Sequence, residues 1–489
     1  MEKLLNINSN SIKVSNYKWI LLGLGAILLG FTGMRWNIPI FAWVALVPFL
    51  RYIRLDYSFW VLLVSLIFIQ TISTFRIVSE PFHAFIALSS GIQGGIVFSL
   101  LLWIQNWIRK KTNDSYWNVF CFAFLFAIME WLGGISSEFG VWGMMANSQL
   151  SNLVLLQSAS ILGATGLSFI IYWSNVLIER TWFELETTQS LSKHLKYHLI
   201  LFMGVLVGLY MYGAIRLTLP IQGETLKFAT VTSQKDIQSF WNHPLENQAN
   251  TDLVISRTIQ AAKEGAKVVV WNEGGVLVQK NDENSFLQRI QILASEQKIE
   301  IIAAIVIPLK PGEFFMENKI HWISNTGEIR QTYFKQFIPP GEPISKVDSD
   351  VKVFDTPFGK LSAAICYDFD SLSLTKTHSD LGTGVTLIAA SDWKGIDPFH
   401  TQMAILRGIE NGTTIVRSTR GALSGIFDAY GRTRGSLEYY ERNDGVLVAS
   451  APTKPIETIY RKYGNWIVGL GFLFLITFGI RSFLLRSGC

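Results

Sequence analysis

Seven long apolar stretches crowd the first 219 residues of this 489-residue chain and an eighth lies near its end, at about 17–33, 37–50, 58–75, 82–108, 117–134, 152–178, 198–219 and 464–484. About 20 apolar residues in helical form cross the roughly 30 Å of bilayer hydrocarbon. The pattern therefore predicts a multi-pass α-helical membrane bundle of about 8 transmembrane helices. The second stretch is short and holds Pro39 and Pro48, so it is expected to be tilted, broken or only partly inserted. Charged residues are 16% of the chain and hydrophobic ones 49%, whereas soluble domains carry about a quarter charged residues. The first 16 residues are polar and no small-residue cleavage site follows the first stretch, which reads as a retained helix rather than a cleaved signal.

Charge placement orients the bundle. With a cytoplasmic N-terminus, Lys3, Lys13, Lys18, Arg51, Arg54, Arg109, Lys110, Lys111, Arg180, Lys193, Lys196, Arg481 and Arg486 all fall on the cytoplasmic side. The short outer loops hold only Arg35 and Arg76, a positive-inside asymmetry. Arg216, Arg461 and Lys462 fall on the outer side, but they flank a long segment, and long domains translocate with little regard to charge. Both termini are thus expected inside, and three units follow: a bundle over 1–219, an extracytoplasmic domain over 220–456, and a last membrane helix over 457–489. The net charge of +5 is dispersed, with no like-charge block longer than Arg109–Lys111, which argues against a nucleic-acid partner. Trp36, Trp131, Trp142 and Trp241 are candidate interface anchors. Glu130, in or near the fifth stretch, is either a functional group or an interfacial one.

The segment between the last two stretches is soluble in composition. Short β-type runs (226–231, 266–271, 299–307, 361–367, 385–390, 415–418, 446–450) alternate with helical ones (252–264, 285–297, 399–411). That alternation predicts a layered α/β sandwich. The three cysteines, Cys121, Cys366 and Cys489, lie far apart with no CxxC or Cys/His cluster, so neither a disulfide framework nor a zinc site is expected, and no cofactor is implied.

Three places in this segment carry reactive groups at strand ends. Glu273 follows the run 266–271, Lys335 follows Tyr333-Phe334 ahead of a Pro/Gly loop bearing Glu342, and Cys366 closes the run 361–367. Each has a plain alternative: a capping acid, a surface lysine, a buried inert thiol. Ligands of open α/β sheets gather at the C-terminal strand ends.

Together, Glu, Lys and Cys in this order resemble the carbon–nitrogen hydrolase (nitrilase) superfamily, over most of residues 225–452. Further similar positions are Ser391-Asp392-Trp393, His400, Arg407–Glu410, Arg417–Gly421 and Asp428–Gly431. With the helices on either side, the whole chain resembles the apolipoprotein N-acyltransferase family. The resemblance implies a nitrilase-like αββα domain on a bacterial plasma-membrane bundle. It also implies transfer of an acyl chain from a phospholipid, through a cysteine thioester, to the N-terminal amine of a diacylglyceryl-cysteine lipoprotein. A monomer is expected.

On that resemblance Cys366 is the nucleophile, Glu273 the general base and acid, Lys335 the oxyanion stabiliser and Glu342 a supporting carboxylate. Trp241, Tyr367, Asp368 and Trp393 are expected near substrate. The chemistry asks for these groups. A free thiol has a pKa of about 8.5 and needs a base near neutrality, and a developing oxyanion needs a positive charge, whose loss typically costs about 3–4 kcal/mol. Departures from the family pattern are Asn272 and Gly274 beside Glu273, Phe334 before Lys335, Asp368 where the family has Glu, and Trp393 directly after Asp392. They leave open a tethered nitrilase-type amidase or acyltransferase acting on another substrate, and, outside enzymes, a transporter or receptor with a degenerate domain.

Overall fold

The computed structural model describes residues 17–55, 57–75, 84–221, 223–441 and 445–487, with side chains as far as Arg481. Lys3, Lys13, Arg76 and Cys489, and the side chain of Arg486, lie outside the described residues. The first part is helical: α1 (Tyr17–Gly30), a 3-10 turn (Pro39–Trp43), α2 (Val47–Arg54), α3 (Phe59–Phe75), α4 (Ala84–Lys111), α5 (Asn118–Ser136), a second 3-10 turn (Met145–Gln149), α6 (Leu153–Leu156), α7 (Ala159–Thr188) and α8 (Lys193–Thr218). Large apolar side chains on the outward faces, among them Trp60, Phe68, Phe85, Ile92, Ile200 and Met211, stand exposed. Such a belt suits lipid rather than water.

Among the described residues four helices are long and apolar enough to cross a membrane: α4, α5, α7 and α8. The expected count of about eight is thus not met by length alone, because α1, α3 and the C-terminal apolar helix are shorter. The stretch 37–50 is no continuous helix. Its prolines split it into the first 3-10 turn and the eight-residue α2, which rises only about 12 Å. Even so, the segment is fixed from the Met145–Gln149 turn to the C-terminal half of α7. At one end the Asn37 side chain donates to Ser148 O (2.7 Å) and Gln149 to Pro39 O (2.8 Å). At the other end Arg54 forks onto both oxygens of Glu179 at 2.7 and 2.8 Å and reaches Asp114 at 2.6 Å. The break is stitched to the middle of α7: Leu46 N donates to Asn175 Oδ1 (2.8 Å), Asn175 Nδ2 donates to Ala42 O (2.9 Å), and Ser174 Oγ donates to Trp43 O (2.8 Å). Irregular backbone is tolerated at membrane depth where other protein groups satisfy it in this way.

The second part holds thirteen strands: β1 (Thr225–Val231), β2 (Val268–Trp271), β3 (Val276–Leu277), β4 (Glu300–Pro308), β5 (Met316–Ile323), β6 (Ile329–Phe334), β7 (Val353–Thr356), β8 (Gly359–Ile365), β9 (Val385–Ser391), β10 (Thr414–Arg420), β11 (Ser424–Phe427), β12 (Thr433–Leu437) and β13 (Val446–Pro452). One sheet has the order β13-β1-β2-β4-β5-β6, with β3 also on β4, and the other the order β12-β11-β10-β9-β8-β7. The central pairs β1–β2, β2–β4, β8–β9 and β9–β10 are parallel.

Side-chain alternation sorts the layers. Val268 and Val270 face the second sheet, meeting Ile365 and Leu387, while Val269 and Trp271 face helices α9 (Pro244–Lys263) and α10 (Glu283–Gln297). The second sheet is covered by α11 (Leu372–Asp380) and α12 (Phe399–Asn411), completing the αββα sandwich. Helix α12 buries both faces. Ala404 packs into the sandwich, while Phe399, Met403, Leu406 and Ile409 join the apolar core of the bundle. The chain then passes through α13 (Ile459–Tyr463) into α14 (Trp466–Ser487), which packs on α5 and α7. Polar stitches reinforce the joint: Ala164 N donates to Glu410 Oε1 (2.6 Å) and Gln157 Nε2 to Tyr430 O (2.9 Å). Gly163, at φ +67, lets the start of α7 bend beneath Tyr460, whose ring lies 2.6 Å from where a Cβ would sit.

Candidate active site

Parallel strands end at the same edge, so β2, β8 and β9 deliver their following residues to one place. Glu273 lies two residues beyond β2, where its N–H donates to Ala390 O of β9 across the sandwich (3.2 Å). Lys335 immediately follows β6, and its N–H donates to Asn318 O of β5 (3.1 Å). Its ammonium is 2.8 Å from Glu273 Oε1 and 2.6 Å from Glu342 Oε2. Asn318 Nδ2 also donates to Glu273 Oε1, at 2.7 Å. Glu273 and Lys335 are buried and Glu342 partly so.

The expected run 361–367 stops short. Strand β8 ends at Ile365, and Cys366 takes φ +46, opening a 3-10 turn over Cys366–Asp370. A cysteine in the left-handed region is a strained backbone held by its surroundings. The turn aims the sulfur toward the Glu273–Lys335 pair, and Tyr367 N–H, in its first turn, has no partner within the turn.

Asp368 lies at the base of this turn. One of its oxygens accepts the N–H groups of Gln336 (2.9 Å) and Phe337 (2.6 Å), while the other accepts Tyr333 OH (2.9 Å) and Ile365 N (3.2 Å). It therefore ties the loop after Lys335 to the end of β8. Burial pushes its carboxyl up to about 6, against the pull of those N–H groups.

Burial also drives the Cys366 thiol well above its ordinary value, the Glu273 carboxylate adds to this, and Lys335 and Arg417 only partly offset it. Sγ is therefore a protonated thiol at rest. Burial alone would lower Lys335, but Glu273 and Glu342 hold it well above its usual value, so it stays charged. Burial pushes Glu342 up to about 7 despite Lys335.

A second cluster, not expected as part of the site, lies on the other side of the sulfur. Cys366 Sγ is 3.9 Å from Asp392 Oδ1, which faces His400 Nδ1 at 2.8 Å. Arg417 donates to Asp392 at 2.9 and 3.3 Å, and His400 Nε2 meets Asp370 Oδ2 at 2.9 Å. Ligand atoms of Cys366, Asp392 and His400 fall within 4.8 Å of one another. Both ring nitrogens of His400 already face carboxylates, however, and Arg417 supplies positive charge to Asp392, so the set reads as an ion network rather than a metal cage.

A cavity of about 880 Å³ joins these residues to the bundle, its wall running from Glu273, Lys335 and Cys366 to Phe98, Leu101 and Phe126. Tyr367 and Trp393 also line it. Tyr367 stacks on Phe337 with centroids 4.9 Å apart, and its OH donates to Glu138 O (3.0 Å). Two residues expected near substrate stand behind the wall. Asp368 is fully buried, and Trp241 packs edge-on against the cavity-lining Phe314 (4.6 Å). Trp142, expected as an interface anchor, is instead buried beside the site and donates to Asp370 Oδ2 (2.8 Å). Glu130 accepts Met145 N (2.8 Å) and the Tyr172 hydroxyl, fixing the loop that carries Trp142.

Asn318, on β5, had no signal in the sequence. Asp392, His400 and Arg417 had one, as the similar positions noted above.

Comparison with known proteins gives the same two-part division. Residues 233–459 match the carbon-nitrogen hydrolase family, and residues 25–177 match the apolipoprotein N-acyltransferase N-terminal domain. Relatives include apolipoprotein N-acyltransferases of Geobacter metallireducens (23% identical, 66% of each chain), Rickettsia prowazekii (24%, over 75% of this chain and 76% of the relative) and Gloeobacter violaceus (23%, over 91% and 90%). Among solved structures, an amidase from Nesterenkonia sp. is 18% identical with a TM-score of 0.42, covering 52% of this chain and 98% of the amidase. The sandwich with its Glu–Lys–Cys edge is thus a carbon–nitrogen hydrolase domain, here mounted on a membrane-like helical bundle. Over most of its length the chain is similar to apolipoprotein N-acyltransferases, with both of its parts matched.

Proposed function

We propose that this chain is an N-acyltransferase that moves an acyl chain from a phospholipid, through a thioester on Cys366, to the N-terminal amine of a diacylglyceryl-cysteine lipoprotein. The observation that carries this reading is the single cavity shared by Glu273, Lys335 and Cys366 at one end and apolar bundle side chains at the other. An acyl chain lying among Phe98, Leu101 and Phe126 brings its ester to the sulfur without leaving an apolar surround. A tethered amidase on another substrate is not favoured, because the membrane part as well as the hydrolase part has its match in this family.

The steps follow from the residues. Glu273 accepts the Sγ proton as the thiolate attacks the ester carbonyl. The oxyanion forms beside the Lys335 ammonium and Tyr367 N–H. The C–O bond breaks, protonated Glu273 returns the proton to the departing lysophospholipid alkoxide, and Cys366 carries the acyl group. The acceptor amine then attacks the thioester and Glu273 takes its proton. The C–S bond breaks, and the proton passes back to sulfur as the amide leaves. Glu342 keeps the lysine charged and in place, and Tyr367 and Trp393 shape the cavity mouth. Trp241 and Asp368 act from behind the wall.

In the membrane, eight crossings result if the broken segment 37–54 is counted with α1, α3, α4, α5, α7, α8 and α14. The Arg54–Asp114–Glu179 end then faces the cytoplasm with both termini, and the hydrolase domain lies outside the plasma membrane. The units are the bundle (1–219), the catalytic domain (220–456) and the last helix (457–489), and the site is complete in one monomer.

The test is acylation of a synthetic diacylglyceryl-cysteine peptide by the purified chain in phospholipid micelles. Wild type yields the N-acyl peptide and Cys366→Ser does not. Equal product from both proteins would refute the reading.

A further inference from the structure

The loop between α5 and the Met145–Gln149 turn belongs to the bundle, yet it ends beside the nucleophile. Trp142 Nε1 donates to Asp370 Oδ2 at 2.8 Å, and His400 Nε2 reaches the same oxygen at 2.9 Å. His400 Nδ1 lies 2.8 Å from Asp392 Oδ1, the atom that accepts the Cys366 thiol at 3.9 Å. Arg417 also holds Asp392, its Nη2 lying 3.3 Å from the same Oδ1 and 3.0 Å from His400 Nδ1, and it donates to the hydroxyls of Thr401 and Thr419. Asp370, Asp392, His400 and Arg417 are each at most 3% exposed. His400 Nδ1 sits between the Asp392 carboxylate and the Arg417 guanidinium, and the ring donates to both Asp370 and Asp392 when it is a cation. Burial alone would lower His400, but the two carboxylates hold it up, at about 9. The set is therefore two anions and two cations in mutual contact, with the sulfur at its edge.

We propose that Asp392, His400 and Arg417 are positioning residues, that Asp392 orients the Cys366 thiol while Arg417, held by Asp392 beside His400, stabilises the thiolate, and that Trp142 makes this set depend on the membrane bundle. The charges balance at rest, so the thiol keeps its proton. When Glu273 removes that proton, the sulfur gains a negative charge next to a network whose cations are already desolvated and fixed, so little reorganisation is needed. The charged groups facing Cys366 are Glu273 and Lys335 from one sheet, Asp392 just after β9 and Arg417 within β10, with His400 and Asp370 behind them. Trp142 is the bundle's contribution. Its loop is anchored by Met145 N–H on Glu130 (2.8 Å), and without the indole N–H the Asp370 oxygen loses one of its two donors.

The inference rests on Cys366 being the nucleophile, and the test separates the two claims. Trp142→Phe keeps a ring against Phe399 and His400, whose centroids lie 5.7 and 5.1 Å away, but removes the donor. Asp370→Asn alters the same link without changing size. In the full-length chain in phospholipid micelles, the pH dependence of Cys366 alkylation by iodoacetamide is read at the peptide level, together with kcat and KM for phospholipid. Both variants are expected to move the alkylation midpoint to higher pH and lower kcat about tenfold, with KM within about twofold. An unchanged alkylation profile in whichever variant folds, or a rise in KM alone, overturns the inference. A wild-type protein that alkylates with the expected pH profile but never carries acyl on Cys366 overturns the functional reading instead.

Discussion

Lys335 Nζ lies 2.8 Å from Glu273 Oε1, joining two strand ends 62 residues apart in sequence. With Glu342 on its other side at 2.6 Å, the buried ammonium is held between two carboxylates. Each charge is tolerated there because its partner is present, so the group proposed to stabilise the oxyanion also holds the site together.

Replacing Lys335 should therefore affect both rate and stability. Lys335→Met removes the oxyanion's cation and leaves two carboxylates facing each other. We expect kcat to fall about 10²–10³-fold and the unfolding free energy by about 3–5 kcal/mol. Steady-state assays and thermal unfolding in detergent read the two effects. A loss of rate with stability unchanged would mean that the lysine serves catalysis alone.

Asn318 makes a narrower prediction. Its side chain donates to the same Glu273 oxygen at 2.7 Å and its carbonyl accepts Lys335 N–H at 3.1 Å. Asn318→Ala keeps the carbonyl and loses only the donor. We expect kcat to fall about tenfold with KM for phospholipid nearly unchanged, since a hydrogen bond to a charged group is worth about 1.5–3 kcal/mol. Equal loss through KM would place Asn318 in binding instead.

His400 sets a pH window for stability. Its folded-state value, raised to about 9 from 6.5, means the folded protein binds the proton more tightly than the unfolded chain. The resulting stabilisation, on the order of 3 kcal/mol, is fully present below about pH 6.5 and is lost as pH rises through about 9. Thermal midpoints in detergent across pH 6–10 should fall more steeply for wild type than for His400→Gln, which cannot titrate. Parallel curves would contradict the charged pairing.

The broken second segment predicts that Asn175 is structural. Asn175→Leu removes the acceptor of Leu46 N and the donor to Ala42 O in the middle of the bundle. We expect a loss of about 2 kcal/mol, read as a lower thermal midpoint, with kcat of the surviving folded protein within about twofold of wild type. An unchanged midpoint would show that the break is satisfied in some other way.

What the sequence disclosed, and what it hid, follows from the range of the interactions concerned. Buried apolar runs marked β1, β2, β4, β8, β9 and β10, with Glu273 and Cys366 at the ends of two of them and Lys335 after β6, but each had a plain alternative, and the Glu273–Lys335–Cys366 set was legible through its resemblance to the nitrilase superfamily. Strand β3, two residues long, and α11, whose sequence mixes Thr, Ser and Lys, carry too little periodicity to be seen. Local pattern extended β8 through Tyr367. The break at Cys366, with φ +46, is imposed by Asp368 gripping Gln336 and Phe337 from another loop. The break in segment 37–54 has its backbone satisfied by Asn175, about 130 positions later. Trp142 read as an interface anchor because its partner, Asp370, lies 228 residues away.

The most direct measurement of the central claim is peptide mass spectrometry of Cys366 after the full-length chain is incubated with a phospholipid of defined acyl composition and no acceptor peptide. The account predicts a Cys366 peptide heavier by one acyl group, labile to hydroxylamine, absent from Cys366→Ala and much reduced in Glu273→Gln. An unmodified Cys366 in protein that still acylates the acceptor peptide, or an acyl group on a different side chain, would contradict it.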